Sequence, residues 1–332
     1  MTSVESRLFA PSGADKEFGR RYNGRYWMPC LPGEETVKSL PKGAAPWVPR
    51  GVMSVTKMID GFEESRGLNI WEQELALIGM ALQPSLFGEL SLLVHEWQRE
   101  GVDWLRIRDF PHVRRALTGG ADQEAAEVSI IGRAKAIAGG NEARQAGTNL
   151  HKAWEVRATS GELVGTPEMQ AGVQAMEKLL LDNHLVRMPG LSERVVRNTV
   201  VRTAGQFDDI VMSTKTGKLY MADLKTKSRP FRSWLAVDAQ LATYARNEWM
   251  LTVEPNIFGA AGTRYEQGPL HHVDLTRGIV LQLPSDGQTP PYLRRADLTT
   301  GWETAQLARK VHDQRSYGKS AERMAMSEWT ED

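Results

Sequence analysis

The strongest constraint on this chain is the stretch G-Q-F-D-D-I-V-M-S-T-K-T-G-K-L-Y-M-A-D-L-K-T-K, Gly205 to Lys227. Two apolar runs flank a turn of Lys, Thr and Gly, which is the pattern of a β-hairpin. The spacing predicts a first strand over about 206–212, a second over about 219–225, and a turn from Ser213 to Lys218. Side chains alternate across a strand. Leu219, Met221, Asp223 and Lys225 therefore share one face, and Tyr220, Ala222 and Leu224 the other. A carboxylate and an ammonium on one face of an apolar strand are costly to bury unless paired or bound to a metal. Asp208, on the neighbouring strand, reaches the same edge. Two acids and a lysine converging on a sheet end suit a hard divalent cation with oxygen ligands, Mg2+ or Mn2+. Such a site activates water and neutralises charge on a phosphate.

The flanking segments supply supports for that hairpin. A helix is expected over about 142–159, with Ala146, Leu150, Ala153 and Trp154 as its apolar stripe and Gly147, His151 and Glu155 on an adjoining face. A second helix, about 167–184, presents Val173, Met176, Leu179 and Leu180. Ser192 to Thr203 is β-branched and alternating, so it reads as a strand begun by Glu193. After the hairpin, S-R-P-F-R over Ser228 to Arg232 reads as a loop that could touch phosphates. A helix from about Trp234 to Met250 then buries Trp234, Val237, Leu241 and Ala245 and puts Gln240 and Tyr244 on one face.

Taken together, G-x-x-D (Gly205, Asp208), D-x-K (Asp223, Lys225), Q-x-x-x-Y (Gln240, Tyr244) and the upstream G-T-N-L-H-K-A-W-E with His151 resemble the PD-(D/E)xK nucleases of the RecB-like branch. That branch includes the RecB nuclease domain, CRISPR-associated exonucleases and phage exonucleases. The resemblance spans roughly 147–250. It implies an α/β fold with a restriction-endonuclease-like core, a mixed central sheet flanked by helices, behind an N-terminal helical section. It implies one or two Mg2+ or Mn2+ ions on Asp208 and Asp223, completed by His151 and the Leu224 carbonyl, with Lys225 beside the attacking water. Glu193 would assist the metal site, and Gln240 and Tyr244 would point at the site and the DNA backbone. The implied activity is a metal-dependent DNA exonuclease in phage or bacterial recombination or repair. It would act on linear ends or single strands, beside a recombinase, annealing protein or helicase. A structure-selective endonuclease or resolvase, or a non-cleaving DNA-end or single-strand binder, are the alternatives.

Composition narrows this further. The lone cysteine, Cys30, excludes an internal disulfide framework and any four-cysteine zinc or iron–sulfur cluster, which many CRISPR-associated relatives carry. Basic and acidic residues balance at 41 each. Charge is nevertheless uneven, because 187–232 holds ten Lys/Arg against four Asp/Glu. Three of those acids, Asp208, Asp209 and Asp223, fall at or beside the expected metal, so the window reads as a basic surface around an acidic centre. No run of about 20 apolar residues exists and no signal-peptide core opens the chain, so a cytoplasmic protein without a membrane span is expected. Gly318-Lys319-Ser320 lacks the upstream glycine of a phosphate loop, so the chain is not read as a helicase.

The expected organisation is an arm over 1–50, a helical section over 51–125, a nuclease core over 126–315 and a polar mobile tail over 316–332. Pro29, Pro32, Pro41, Pro46 and Pro49 punctuate the arm, which is expected to dock through Tyr22, Tyr26, Trp27 and Trp47. In the helical section Ser54 is a candidate helix cap. Leu75, Ile78, Leu82, Leu90, Leu93, Val94 and Trp97 recur at helical spacing, broken at Pro84 and Gly88. Thr118 to Glu124 and Gly139-Gly140 read as breaks. His95, His112 and the His271-His272 pair are read as carrying no site. A strand near 278–283 and a final helix over about 301–315, with Trp302, Ala305, Leu307 and Val311, close the chain.

Overall fold

The computed structural model describes residues 21–22, 25–28, 50–59, 66–119, 123–226, 234–253, 263–266 and 272–323. Contacts divide the chain into two compact units, Glu64–Asn149 and the remainder. In chain order the larger unit opens with strands β1 (Arg21–Tyr22), β2 (Arg25–Met28) and β3 (Arg50–Ser54) and the short helix α1 (Val55–Ile59). Ser54 caps α1 as its sequence suggested, its hydroxyl accepting from the Lys57 N–H at 3.2 Å. Tyr22, Tyr26 and Trp27 of the expected arm lie within β1 and β2. Trp47 and the five prolines lie outside the described residues.

The smaller unit is helical. It comprises α2 (Arg66–Leu82), α3 (Pro84–Arg99), a 3-10 turn (Trp104–Asp109), α4 (Pro111–Thr118), α5 (Gln123–Val128), α6 (Ile130–Ile137) and the first half of α7 (Gly140–Ser160). Pro84 starts α3 where its missing N–H costs nothing. Gly119 closes α4 in the left-handed region, and Gly139, also at positive φ, separates α6 from α7. Trp97, Val102 and Val113 form a small core. At Gly79, α2 comes so close to α6 that a Cβ would fall 1.8 Å from the Ala134 carbonyl oxygen. Leu75 and Trp97 are buried as the periodicity required, but Ile78 and Leu82 face outward. Gly88 sits inside α3 without breaking it.

The second half of α7 belongs to the larger unit, which continues through α8 (Pro167–Asp182), β4 (Leu185–Arg187), β5 (Arg194–Asn198), β6 (Thr203–Phe207), β7 (Asp209–Ser213) and β8 (Leu219–Lys225). There follow α9 (Trp234–Ala245), β9 (Trp249–Val253), β10 (Thr263–Glu266), β11 (Arg277–Gln282), β12 (Tyr292–Asp297) and α10 (Leu298–Arg323). One sheet runs β1-β2-β3-β6-β5-β9-β10 and the other β12-β11-β8-β7-β4. Both are mixed, with β3 parallel to β6 and β8 parallel to β11 among antiparallel neighbours. The class is α/β. Strand β8 is covered on both faces. Met221 enters a core with Ile210, Val280 and Leu241, and Ala222 and Leu224 enter a second core with Trp154, Met176 and Leu180.

The β7–β8 hairpin forms in the expected place, joined antiparallel from Asp209↔Ala222 to Met212↔Leu219. Several boundaries move for readable reasons. The single strand expected over 192–203 is cut at Asn198, whose side chain accepts from Val201 N–H at 2.9 Å and donates to the Arg246 carbonyl at 2.8 Å. That local turn outcompetes the β-branched run. Helix α9 stops at Ala245, not near 250, because the aromatic and β-branched W-M-L-T-V pairs with β5 instead. Helix α10 starts at Leu298, capped by Asp297, which accepts from Thr299 N–H at 3.0 Å. It continues to Arg323, so the residues 316–323 assigned to the tail are helical, while 324–332 lie outside the described residues. Leu307 of that helix is half exposed, while Ala305 is buried. No single helix among the described residues is long and apolar enough to cross a membrane.

Candidate active site

The chain changes sheets at Asp208. β6 ends at Phe207 in the first sheet, and β7 begins at Asp209 in the second. Asp208 is the one residue between them. Its carbonyl accepts from Glu193 N–H at 3.0 Å, and its carboxylate accepts from Leu224 N–H at 2.6 Å. The backbone of β8 is thus tied to the Asp208 side chain at the point where Asp223 and Lys225 lie.

Asp223 and Lys225 share a face, as the alternation demanded, with Lys225 Nζ 2.6 Å from Asp223 Oδ2. Asp223 is buried. Its Oδ2 receives no well-directed hydrogen bond despite that short approach, so the contact is chiefly electrostatic. Asp208 keeps a little surface toward a cavity but is otherwise enclosed. Burial, and then the charge of Asp223, push its carboxyl up to about 8, against the smaller opposing pull of Lys225 and the Leu224 N–H. His151, on α7, is held below the usual imidazole range, first by burial and then by Lys225, with Asp223 pulling the other way. Its imidazole is therefore neutral at pH 7 and lies within electrostatic reach of both partners. Leu224 contributes its backbone between Asp223 and Lys225, while its side chain fills the second core.

A second group of expected residues lines a cavity of about 200 Å³ that also reaches Asp208. Gln240 Nε2 donates to the Tyr244 hydroxyl at 3.3 Å, and both face this cavity from α9. Glu193, held at positive φ, accepts at Oε2 from Gln206 Nε2 at 2.9 Å. Gly205 is explained by Tyr244: a Cβ there would sit 2.5 Å from the ring's Cε1. Ser54, Val55, Thr56 and Gln206 complete the lining, and nothing in the sequence marks them as site residues. Ser54 was readable as a helix cap, but nothing local indicates that β3 pairs parallel with β6 and delivers it here.

Asp209 does not belong to this centre. Facing opposite to its neighbour, it is fully buried against α7 and β4. There it accepts from Trp154 Nε1 at 2.7 Å and from the Ser192 hydroxyl at 2.5 Å, and pairs with Arg187 at 2.7 Å. Arg187 also stacks on the Trp154 ring and donates to the Trp154 carbonyl at 3.0 Å. Burial holds the Asp209 carboxyl above the usual carboxylate range, and Arg187 is the largest of the groups that oppose it. The network fastens the helix carrying His151 to the strand that follows Asp208.

The basic surface expected over 187–232 is reduced by such internal use. Arg187 is nearly buried beside Asp209, Arg197 is buried, Arg202 pairs with Asp313, and Lys225 faces Asp223. Lys227 and the loop Ser228 to Arg232 lie outside the described residues, as does His271. Among the described residues no three His, Cys, Asp or Glu side chains are spaced as a ready cage for a metal ion. As placed, Asp208 is turned to a backbone N–H and Asp223 to Lys225. The donor chemistry still fits a hard divalent cation. Two crowded carboxyls, one driven toward its protonated form and one with an oxygen lacking a directed hydrogen bond, stand beside a neutral imidazole. Compared with known proteins, the sequence matches no family model and no curated protein.

Proposed function

We propose that the chain is a metal-dependent deoxyribonuclease of the PD-(D/E)xK type, acting on linear DNA ends or single strands as an exonuclease. The observation that carries the reading is the convergence of Asp208, Asp223, Lys225 and His151 from three separate segments at the C-terminal end of β8. Asp208 and Asp223, with His151 and the Leu224 carbonyl, would hold Mg2+ or Mn2+, one or two ions. The ion would supply a lowered pKa for bound water and a sink for negative charge at phosphorus. Loss of the Asp208 proton accompanies that binding, since a cation compensates the two carboxylates as a proton otherwise does.

Lys225, beside Asp223, would orient the attacking water and offset negative charge developing at phosphorus. Neutral His151 adds no like charge against Lys225. Glu193 and Gln206 hold one wall of the adjoining cavity, Gln240 and Tyr244 another. Their amide and hydroxyl groups suit the sugar-phosphate oxygens of the strand beyond the cut. A role in phage or bacterial recombination or repair, in cytoplasm and beside an annealing protein or helicase, follows from the resemblance in motif.

The test is digestion of end-labelled linear DNA and closed circles with Mn2+, with Mg2+ and with chelator. Digestion of linear DNA alone, lost with chelator, is the expected result. Asp223→Ala and Lys225→Ala should each lower the rate by at least about a hundredfold while circular dichroism stays native. Near-normal metal-dependent cleavage by either variant refutes the assignment. Nicked circles would favour the structure-selective endonuclease, and retarded but uncut DNA the non-cleaving binder.

A further inference from the structure

A groove of about 320 Å³ crosses the other face of the five-stranded sheet, near the C-terminal end of α8. Its floor is Tyr220, Ile279 and Leu293. Arg277 and Arg295 stand over that floor from adjacent strands. The register places Ile279 directly opposite Arg295, so Arg277 is its diagonal neighbour on the same face. Such diagonal positions are about 7–8 Å apart, within joint reach of one small anion. Both arginines are exposed, and the acid that feels either of them among the described residues is Asp297, through Arg295. The acid nearest in register, Asp297 opposite Arg277, is engaged in capping α10 through Thr299 N–H, Thr300 N–H and the Thr300 hydroxyl. Arg294, between them in sequence, is turned to the opposite face and stacks on Trp234.

Asp297 lies within electrostatic reach of Arg295 and offsets one of the two charges. That leaves a net positive charge over an apolar and aromatic floor, which favours a further anion. Guanidinium forks match phosphate oxygens bidentately, and a flat ring fits a floor of Tyr, Ile and Leu. We propose that this groove binds a nucleoside phosphate, base on the Tyr220–Ile279–Leu293 floor and phosphate between Arg277 and Arg295. The phosphate could belong to a free nucleotide or to one unit of a strand. The groove lies three residues before Asp223 on β8, roughly 10 Å back along the strand and on the other face. It is therefore separate from the candidate active site, and its ligand class stands whether or not that site is catalytic.

Isothermal titration of the full chain in chelator, which stops metal-dependent cleavage, tests the proposal. The probes are deoxyadenosine monophosphate, inorganic phosphate, deoxyadenosine and a short oligothymidylate. Saturable binding of the monophosphate or the oligonucleotide, tighter than of phosphate or nucleoside alone, is expected. The monophosphate alone identifies a free-nucleotide site, and the oligonucleotide alone a strand site. Arg277→Glu/Arg295→Glu should weaken binding at least about tenfold, and Arg277→Lys/Arg295→Lys less, because charge survives but the forks do not. The Lys pair also serves if the Glu pair fails to fold. No binding by the unmodified protein, or equal binding by the unmodified protein and a folded double variant, overturns the proposal.

Discussion

Asp208 and Asp209 are adjacent in sequence and opposite in circumstance. Asp209 is surrounded by Arg187, Ser192 and Trp154, which offset part of the upward push of full burial. Asp208 has one backbone donor and the negative charge of Asp223 nearby, and its carboxyl is pushed up to about 8. The sign of the consequence follows from proton linkage. Between about pH 4, where an unfolded aspartate ionises, and about pH 8, the folded chain keeps a proton that the unfolded chain has released. Stability therefore falls as pH rises across that window. In chelator, thermal unfolding of the native chain should drop by several degrees between about pH 5 and about pH 9, and Asp208→Asn should flatten that dependence. Parallel pH profiles for the two proteins would show that Asp208 does not carry the strain assigned to it. The pair also marks how far residue identity is legible. Asp208 was readable as part of the centre, but Asp209 was grouped with it because two adjacent acids look alike until each face has a neighbour.

At the scale of the element, β8 carries the design. Its alternation was readable because a strand buried on both faces still needs its one charged pair on a single side. The reversal at Asp208 was not readable, because nothing local distinguishes one strand of seven residues from two short strands meeting in different sheets. That reversal needs an anchor, and the Asp209 network supplies it by tying β7 to α7 and β4. Arg187→Ala leaves the Asp209 carboxylate buried without its cation, which should destabilise the fold by about 3–5 kcal/mol. Trp154→Phe removes one buried hydrogen-bond donor and part of the ring on which Arg187 stacks, and should cost about 1–3 kcal/mol. Urea denaturation of both variants checks the ranking. If Arg187→Ala proved milder than Trp154→Phe, the ion pair would not be the anchor.

At the scale of the molecule, two units divide the work. The larger unit builds its sheets and both candidate sites, while the smaller has its own cluster at Trp97, Val102 and Val113. Separate cores should open separately. Trp97→Ala removes a buried indole and should cost the helical unit about 3–5 kcal/mol. Hydrogen exchange should then quicken over α2 to α6 while the amides of β7 and β8 keep their protection. Equal loss of protection in both would mean that the chain unfolds as one unit.

By itself the sequence determined the hairpin, the shared face of Asp223 and Lys225, most helices, and the inward faces of α8 and α9. These depend on periodicity and capping, which act within a few residues. Only the tertiary structure decided that Asp208 falls between two sheets, that Asp209 turns to Arg187, that Ser54 and Thr56 reach the cavity, and that two arginines share a groove on the far face. Those arrangements come from pairing between strands distant in the chain. Neither partner carries a local mark of the other, because strand register is chosen by the burial of whole faces.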